Sequence, residues 1–225
     1  MIDWYDWSGG REAMLRFGPA TGPVVLVALP LFEEANRTRT FAAALMRLLA
    51  GRGIASALPD LPGTGESLTQ IEETTLSEMR AAMGAAVDHL GARRVHACGI
   101  RSGALLDPHA FVRARWHFSP VEGEVLMTEL LRIAQAGKSS PASDDAPMLV
   151  GGNLLTAAMV AELKAATTDA DPGPLRIVRL DSDPRPADRK VPGVPLWRRA
   201  EPGHDPALAA LLADDIAAWV RACEG

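Results

Sequence analysis

The chain has 225 residues, 48% of them hydrophobic, and a formal net charge of −5. That length and apolar fraction fit one large α/β domain with a substantial core, two small domains being the alternative, and the acidic balance without a basic stripe argues against a nucleic-acid partner. No apolar run reaches about 18 residues and no basic segment leads into an apolar one at the N-terminus, so the expectation is a cytoplasmic protein with neither membrane span nor signal peptide.

Tyr5–Ser8 and Glu12–Phe17 flank Gly9-Gly10, which predicts an N-terminal β-hairpin. Val24–Leu29 is a continuous apolar, β-branched run, as in a strand covered on both faces of a parallel sheet. Pro30 ends it, and residues 31–40 read as polar loop. Phe41, Leu45, Leu48 and Leu49 have helical spacing and predict a helix over 41–52, closed by Gly53. Ile54–Leu58 is the next strand, followed by the glycine-rich loop Asp60-Leu61-Pro62-Gly63-Thr64-Gly65-Glu66-Ser67. Leu76, Met79, Met83, Val87 and Leu90 form one apolar face of a helix over 75–90. Val95–Cys98 is a strand that enters the glycine-bracketed corner Gly99-Ile100-Arg101-Ser102-Gly103, and the apolar run after it is compatible with a helix. This alternation predicts right-handed βαβ units and a doubly wound, mostly parallel α/β sheet.

Further along, 113–118 reads as a strand, 121–137 as a helix and 138–147 as a mobile loop. A short extended piece at 148–152 and a helix over 157–166 follow. Leu175–Leu180 is a strand, 181–195 a Pro- and Asp-rich loop, and 196–199 a last short strand. Asp205 and Pro206 suit the N-cap and first position of a final helix with a core face of Leu208, Leu211, Leu212, Ile216, Trp219 and Val220. The whole of 1–225 reads as a single domain with a small helical insertion or cap at about 120–147.

The corner at 99–103 has the layout of a G-x-S-x-G nucleophile elbow, but Arg101 holds the nucleophile position and Ser102 falls one residue late. A guanidinium stays protonated and cannot attack. It can bind a carboxylate or phosphate, or enter a buried ion pair with Glu33, Glu34 or Asp183. Asp183 (or Asp181) and His204 follow in the order expected of the acid and base of a triad. Ser102, Asp183 and His204 are therefore the candidate catalytic residues, and Arg101, Glu33, Glu34 and Asn36 the candidate ligand-binding residues. The histidines have no metal-ligand spacing, and the two cysteines, Cys98 and Cys223, form no disulfide framework or metal site. No metal or cofactor is expected.

Four segments together resemble the α/β-hydrolase superfamily. Leu29-Pro30-Leu31-Phe32 sits where an oxyanion loop would be; Asp60–Ser67 resembles the D-x-x-G-x-G-x-S loop; 99–103 sits at the elbow; and Gly203-His204-Asp205 resembles the histidine loop. Within it, Pro30–Arg39, Cys98–Leu106, the Trp116–Leu131 segment and Gly151–Leu155 are similar to motifs of the hydrolase-like proteins associated with the exosortase A system, type 2, whose elbow also carries arginine. The similarity spans roughly residues 20–165. It implies an α/β-hydrolase-like fold and a setting in exopolysaccharide production and exosortase-type protein sorting. The leading expectation is a noncatalytic or altered member that binds a small polar or anionic ligand in the former active-site cleft. The alternatives are an ester or thioester hydrolase using Ser102 or a His204-activated water, and a protein-interaction scaffold.

Overall fold

Apolar runs too hydrophobic to leave one face wet set the centre of the molecule. The computed structural model describes residues 1–91, 93–136, 147–150, 153–169, 173–199 and 203–225. β1 (Ile2–Trp7) and β2 (Gly10–Phe17) form the expected antiparallel hairpin, with Tyr5 opposite Glu12. β3 (Val24–Ala28), β4 (Ala55–Pro59), β5 (Val95–Ile100), β6 (Ala114–Phe118), β9 (Leu175–Leu180) and β10 (Arg189–Val191) complete a sheet of eight strands in the order β1-β2-β4-β3-β5-β6-β9-β10. β2 joins β4 antiparallel, and every pairing from β4 onward is parallel. Two further strands, β7 (Met148–Val150) and β8 (Asn153–Leu155), make a separate antiparallel hairpin.

Helices cover both faces. α2 (Leu76–His89), α3 (Gly123–Ala136) and α4 (Ala157–Ala165) bury one face, with Val24, Leu26, Ala28, Val95, Met79, Met83, Leu126 and Leu163 in one apolar cluster. α1 (Glu33–Gly51) and α5 (Pro206–Glu224) bury the other, with Val25, Val27, Cys98, Trp116, Phe118, Leu45 and Ile216. Val24 to Ala28 alternate between the two clusters, which is the period-2 geometry of a strand. Caps fix the helix starts. Thr75 and Glu78 form a reciprocal capping box on α2, and Asp205 accepts the Leu208 N–H at 3.0 Å on α5. α3 and α4 approach so closely that a Cβ on Gly123 would lie 1.8 Å from the Leu163 carbonyl oxygen. Among the described residues, no helix is long and apolar enough to cross a membrane.

Three elements differ from the sequence expectation. α1 begins at Glu33, eight residues before the predicted 41, because its first two turns are polar rather than irregular. Glu33 pairs with Arg37 one turn on, and the Thr38 hydroxyl donates to the Glu34 carbonyl at 2.8 Å. The last strand is Arg189–Val191 and not 196–199, where Leu196–Arg198 forms a single 3-10 turn that turns Leu196 and Trp197 into the core. After the elbow only a 3-10 turn, Arg101–Leu105, forms in place of a helix. Asp107 precedes Pro108, which disfavours helical backbone at Asp107. The predicted 138–147 loop lies, up to residue 146, outside the described residues.

Candidate functional site

The elbow is built by its glycines. β3 and β5 run in register, Ala28 opposite Gly99, and the chain turns sharply beyond both. A Cβ on Gly99 would lie 2.7 Å from the Ala104 Cα, and one on Gly103 would lie 2.3 Å from the Ala28 carbonyl oxygen. Arg101 sits at the apex with φ 54, a left-handed conformation costly for a side-chain-bearing residue. Phe32 (φ 59), after β3, and Ser119 (φ 47), after β6, are the other non-glycine residues with positive φ among the described residues. All three stand at the carboxyl edge of the sheet, where ligands bind in open α/β folds.

The Arg101 side chain is almost fully buried, at 4% exposure. Its Nε and Nη2 donate to the two carboxylate oxygens of Glu34 at 3.2 and 3.1 Å, and Nη2 also donates to Glu129 Oε2 at 3.0 Å. The guanidinium carbon lies 4.7 Å from the centre of the Trp197 ring. Burial pushes the Glu34 carboxyl above its ordinary value, and the hydrogen bonds and charge of Arg101 oppose that shift. Of the two candidate glutamates, Glu34 reaches Arg101 and Glu33 does not. Glu33 is held by Arg37, which also donates to the Trp197 carbonyl at 2.9 Å.

Ser102 is fully buried, and its Oγ accepts the Leu31 N–H at 2.9 Å. The hydroxyl is thus turned down under the elbow, and an amide of the oxyanion-loop segment is already spent on it. An oxyanion hole needs such donors free and aimed at the reacting oxygen. Asp183 does lie at the cleft, on the turn after β9, but its carboxylate is taken by arginine. Arg185 donates to both oxygens at 3.0 and 2.7 Å, and Arg179 Nη1 donates to Oδ2 at 3.1 Å. The Arg185 bonds, with Arg179 helping, hold the Asp183 carboxyl far below its usual value despite partial burial. His204 is exposed and does not line the cleft, and its side chain has no hydrogen-bond partner among the described residues. The expected Ser102–Asp183–His204 catalytic set is therefore not assembled. The Ser102 hydroxyl meets the Leu31 amide, the Asp183 carboxylate meets two guanidiniums, and His204 lies outside the cleft lining. Asp181 is exposed.

The cleft above Arg101 has a volume of about 430 Å³. Arg101, Glu129, Asp183, Arg185, Trp197 and Arg198 supply its polar and aromatic walls, with Val121, Val125 and Leu180 as apolar lining. Glu129 and Trp197 are site residues that sequence reasoning missed. Glu129 shares a helix face with Val125, four residues earlier, but no sequence pattern placed that face at the cleft. Trp197 falls in the 196–199 segment, whose sequence predicts a strand. Asn36 is exposed and lies elsewhere, lining two smaller grooves of about 240 and 270 Å³ with Thr64 and Gly65.

The Asp60–Ser67 loop is scaffolding. Asp60 accepts Arg39 Nη2 at 2.9 Å and the Glu66 N–H at 3.1 Å, while the Tyr5 hydroxyl donates to the Asp60 carbonyl at 2.6 Å. The core histidines are likewise occupied. His117 Nε2 lies 3.0 Å from Asp107 Oδ2, and His96 Nε2 lies 2.9 Å from Glu224 Oε1. Burial lowers the His96 pKa.

Solved structures that share this architecture include α/β-hydrolases. The chain superposes on Est1E from Butyrivibrio proteoclasticus with ferulic acid bound, at a TM-score of 0.67 and 16% identity over 98% of this chain and 99% of that one. It matches the mouse alpha/beta hydrolase domain-containing protein 10 at 0.66 and 16% identity, over 98% of each chain. A haloalkane dehalogenase loop variant from Bradyrhizobium elkanii matches at 0.66 and 13% identity, over 100% of this chain and 97% of that one. No family model and no curated protein matches the sequence. At these identities the likeness concerns the fold: the chain has the α/β-hydrolase fold, with an arginine at the elbow apex.

Proposed function

We propose that this chain is a noncatalytic protein of the α/β-hydrolase fold that binds a small polar or anionic molecule in the cleft above the elbow. One observation carries the reading. The residue at the nucleophile position is Arg101, clamped between Glu34 and Glu129 under Trp197, while the only nearby hydroxyl of the elbow, that of Ser102, is spent on the Leu31 amide. A nucleophile must lie within hydrogen-bond reach of its base, and neither Ser102 nor His204 lines the cleft. The cleft itself persists, at about 430 Å³ with charged and apolar walls, as a ligand site requires. Ferulic acid, the ligand of Est1E, is a carboxylic acid of a size that suits such a volume. The similarity of 30–39 and 98–106 to the exosortase-associated group supports a role in exopolysaccharide production or protein sorting.

The test is covalent labelling with a fluorophosphonate probe, together with turnover of p-nitrophenyl acetate. The expected result is no labelled serine and no hydrolysis above buffer. Labelling of Ser102, or turnover that is lost in Ser102→Ala, would sink the reading.

A further inference from the structure

Among the described residues that line the cleft or form ion pairs at it, guanidiniums outnumber carboxylates. Four guanidiniums, Arg101, Arg179, Arg185 and Arg198, meet three carboxylates, Glu34, Glu129 and Asp183. The first three arginines are committed to those carboxylates. Arg198 lines the cleft, is exposed, and has no side-chain partner among the described residues. On the same lining lies Ser119, at the carboxyl end of β6. It is 1% exposed, and its Oγ is buried without a hydrogen-bond partner among the described residues. Its backbone is pinned, since its N–H donates to the Val178 carbonyl at 2.8 Å and its φ is 47. A hydroxyl rotates freely about its Cβ–Oγ bond, so it can donate to whatever arrives. Native proteins rarely leave such a group unpaired unless water, an ion or a ligand completes it.

We infer that Ser119 and Arg198 form an anion subsite of the cleft, binding an anionic oxygen group, carboxylate or phosphate, of the ligand. This rests on reading the cleft as a binding site. Arg198 supplies the uncompensated positive charge and directed N–H donors, and Ser119 Oγ donates a further hydrogen bond at the cleft wall. Arg101 is then not the anchor. Its Nε and Nη2 donate to Glu34 and Glu129, and those two carboxylates more than offset its single positive charge, so an incoming anion meets net negative charge there.

The experiment titrates the full chain with sodium acetate and, separately, with inorganic phosphate, at constant ionic strength. Chemical shifts of the Ser119 amide and the Arg198 side-chain N–H are followed by NMR. The expected result is saturable shifts at both positions with at least one of the two anions, acetate alone marking a carboxylate and phosphate alone a phosphate. Arg198→Gln should weaken binding about tenfold or more, and Ser119→Ala several-fold. Both variants should keep wild-type spectra elsewhere, because Arg198 is exposed and Ser119→Ala removes a hydroxyl that has no partner. Undiminished affinity in both variants, binding lost only in Arg101→Met, or no saturable shift with either anion would overturn the subsite. Fluorophosphonate labelling or ester turnover would instead overturn the noncatalytic reading, so the two failures are separable.

Discussion

Replacing Arg101 with Met tests whether the elbow arginine is held as a buried ion pair. Methionine keeps a flexible side chain of similar length under Trp197. It also places the same Cβ at φ 54, so the backbone strain is unchanged. What is lost is the cation between Glu34, 19% exposed, and Glu129, 32% exposed. Removing one partner of a buried pair costs about 3–5 kcal/mol, since it leaves an uncompensated buried charge. The partial exposure of Glu129 pulls the figure to the low end, to about 3 kcal/mol. For a chain of this size that corresponds to a fall in Tm of roughly 10 °C near neutral pH. The effect should depend on pH. Burial already raises the Glu34 carboxyl, and Arg101 opposes the rise. Without Arg101 the folded-state value climbs further above the unfolded one, so the native state holds a proton that the unfolded state releases. Stability linked to that proton is present below the unfolded carboxylate range and lost as pH rises through the folded value. Calorimetry at about pH 7.5 and about pH 4.5 should therefore show the larger deficit at the higher pH. Arg101→Met/Glu34→Gln should recover part of it. A single variant within about 1 °C of wild type at the higher pH, or deficits equal at both, would refute the ion-pair account.

Two further outcomes are expected. Ser102→Ala leaves the buried Leu31 N–H without its acceptor and should cost about 1–3 kcal/mol in urea unfolding; no change would show that the amide finds another partner. Asp215, on α5, would have its carboxyl raised by burial, but hydrogen bonds from Arg176, Trp116 and Arg189 outweigh that and hold it at about 2. Against its ordinary 3.8 this contributes about 2 kcal/mol, present above the unfolded carboxylate range and lost as pH falls toward the folded value. Asp215→Asn should therefore lower the urea midpoint at neutral pH, and the gap to wild type should close as the pH approaches about 2. A gap that stays constant over that range would remove the ionised carboxylate from the explanation.

The parts of the molecule legible in advance are those governed by local rules. Val24–Ala28 is a continuous apolar run and became a strand buried on both faces, while Val95–Ile100 and Leu175–Leu180 became strands of the same sheet although they carry His96, Arg176 and Arg179. Asp205 with Pro206 announced the start of α5, and the apolar period from Leu76 announced α2, whose Thr75–Glu78 capping box the structure adds. The first turns of α1 escaped notice because Glu33-Glu34-Ala35-Asn36-Arg37-Thr38 has little apolar periodicity; its helix is held by a one-turn ion pair, a back-bonded threonine and packing farther along. At the site, the anomaly of Arg101 was visible, and so was an acidic partner in the 33–34 pair.

The amino-acid sequence by itself determined the doubly wound α/β architecture, the place of the elbow and the presence of a cation at its apex, because apolar period, caps and glycine spacing act over a few residues. Tertiary structure alone decided which groups meet there. Glu129 comes from a helix 28 positions along the chain, Trp197 from a turn beyond β10, and the Ser102 hydroxyl from an elbow that closes onto the loop after β3. Charge pairing and hydroxyl orientation depend on distances of about 3 Å between elements remote in sequence, and no local pattern encodes those distances. The same geometry keeps His204 off the cleft lining and leaves the Ser119 hydroxyl without a partner among the described residues.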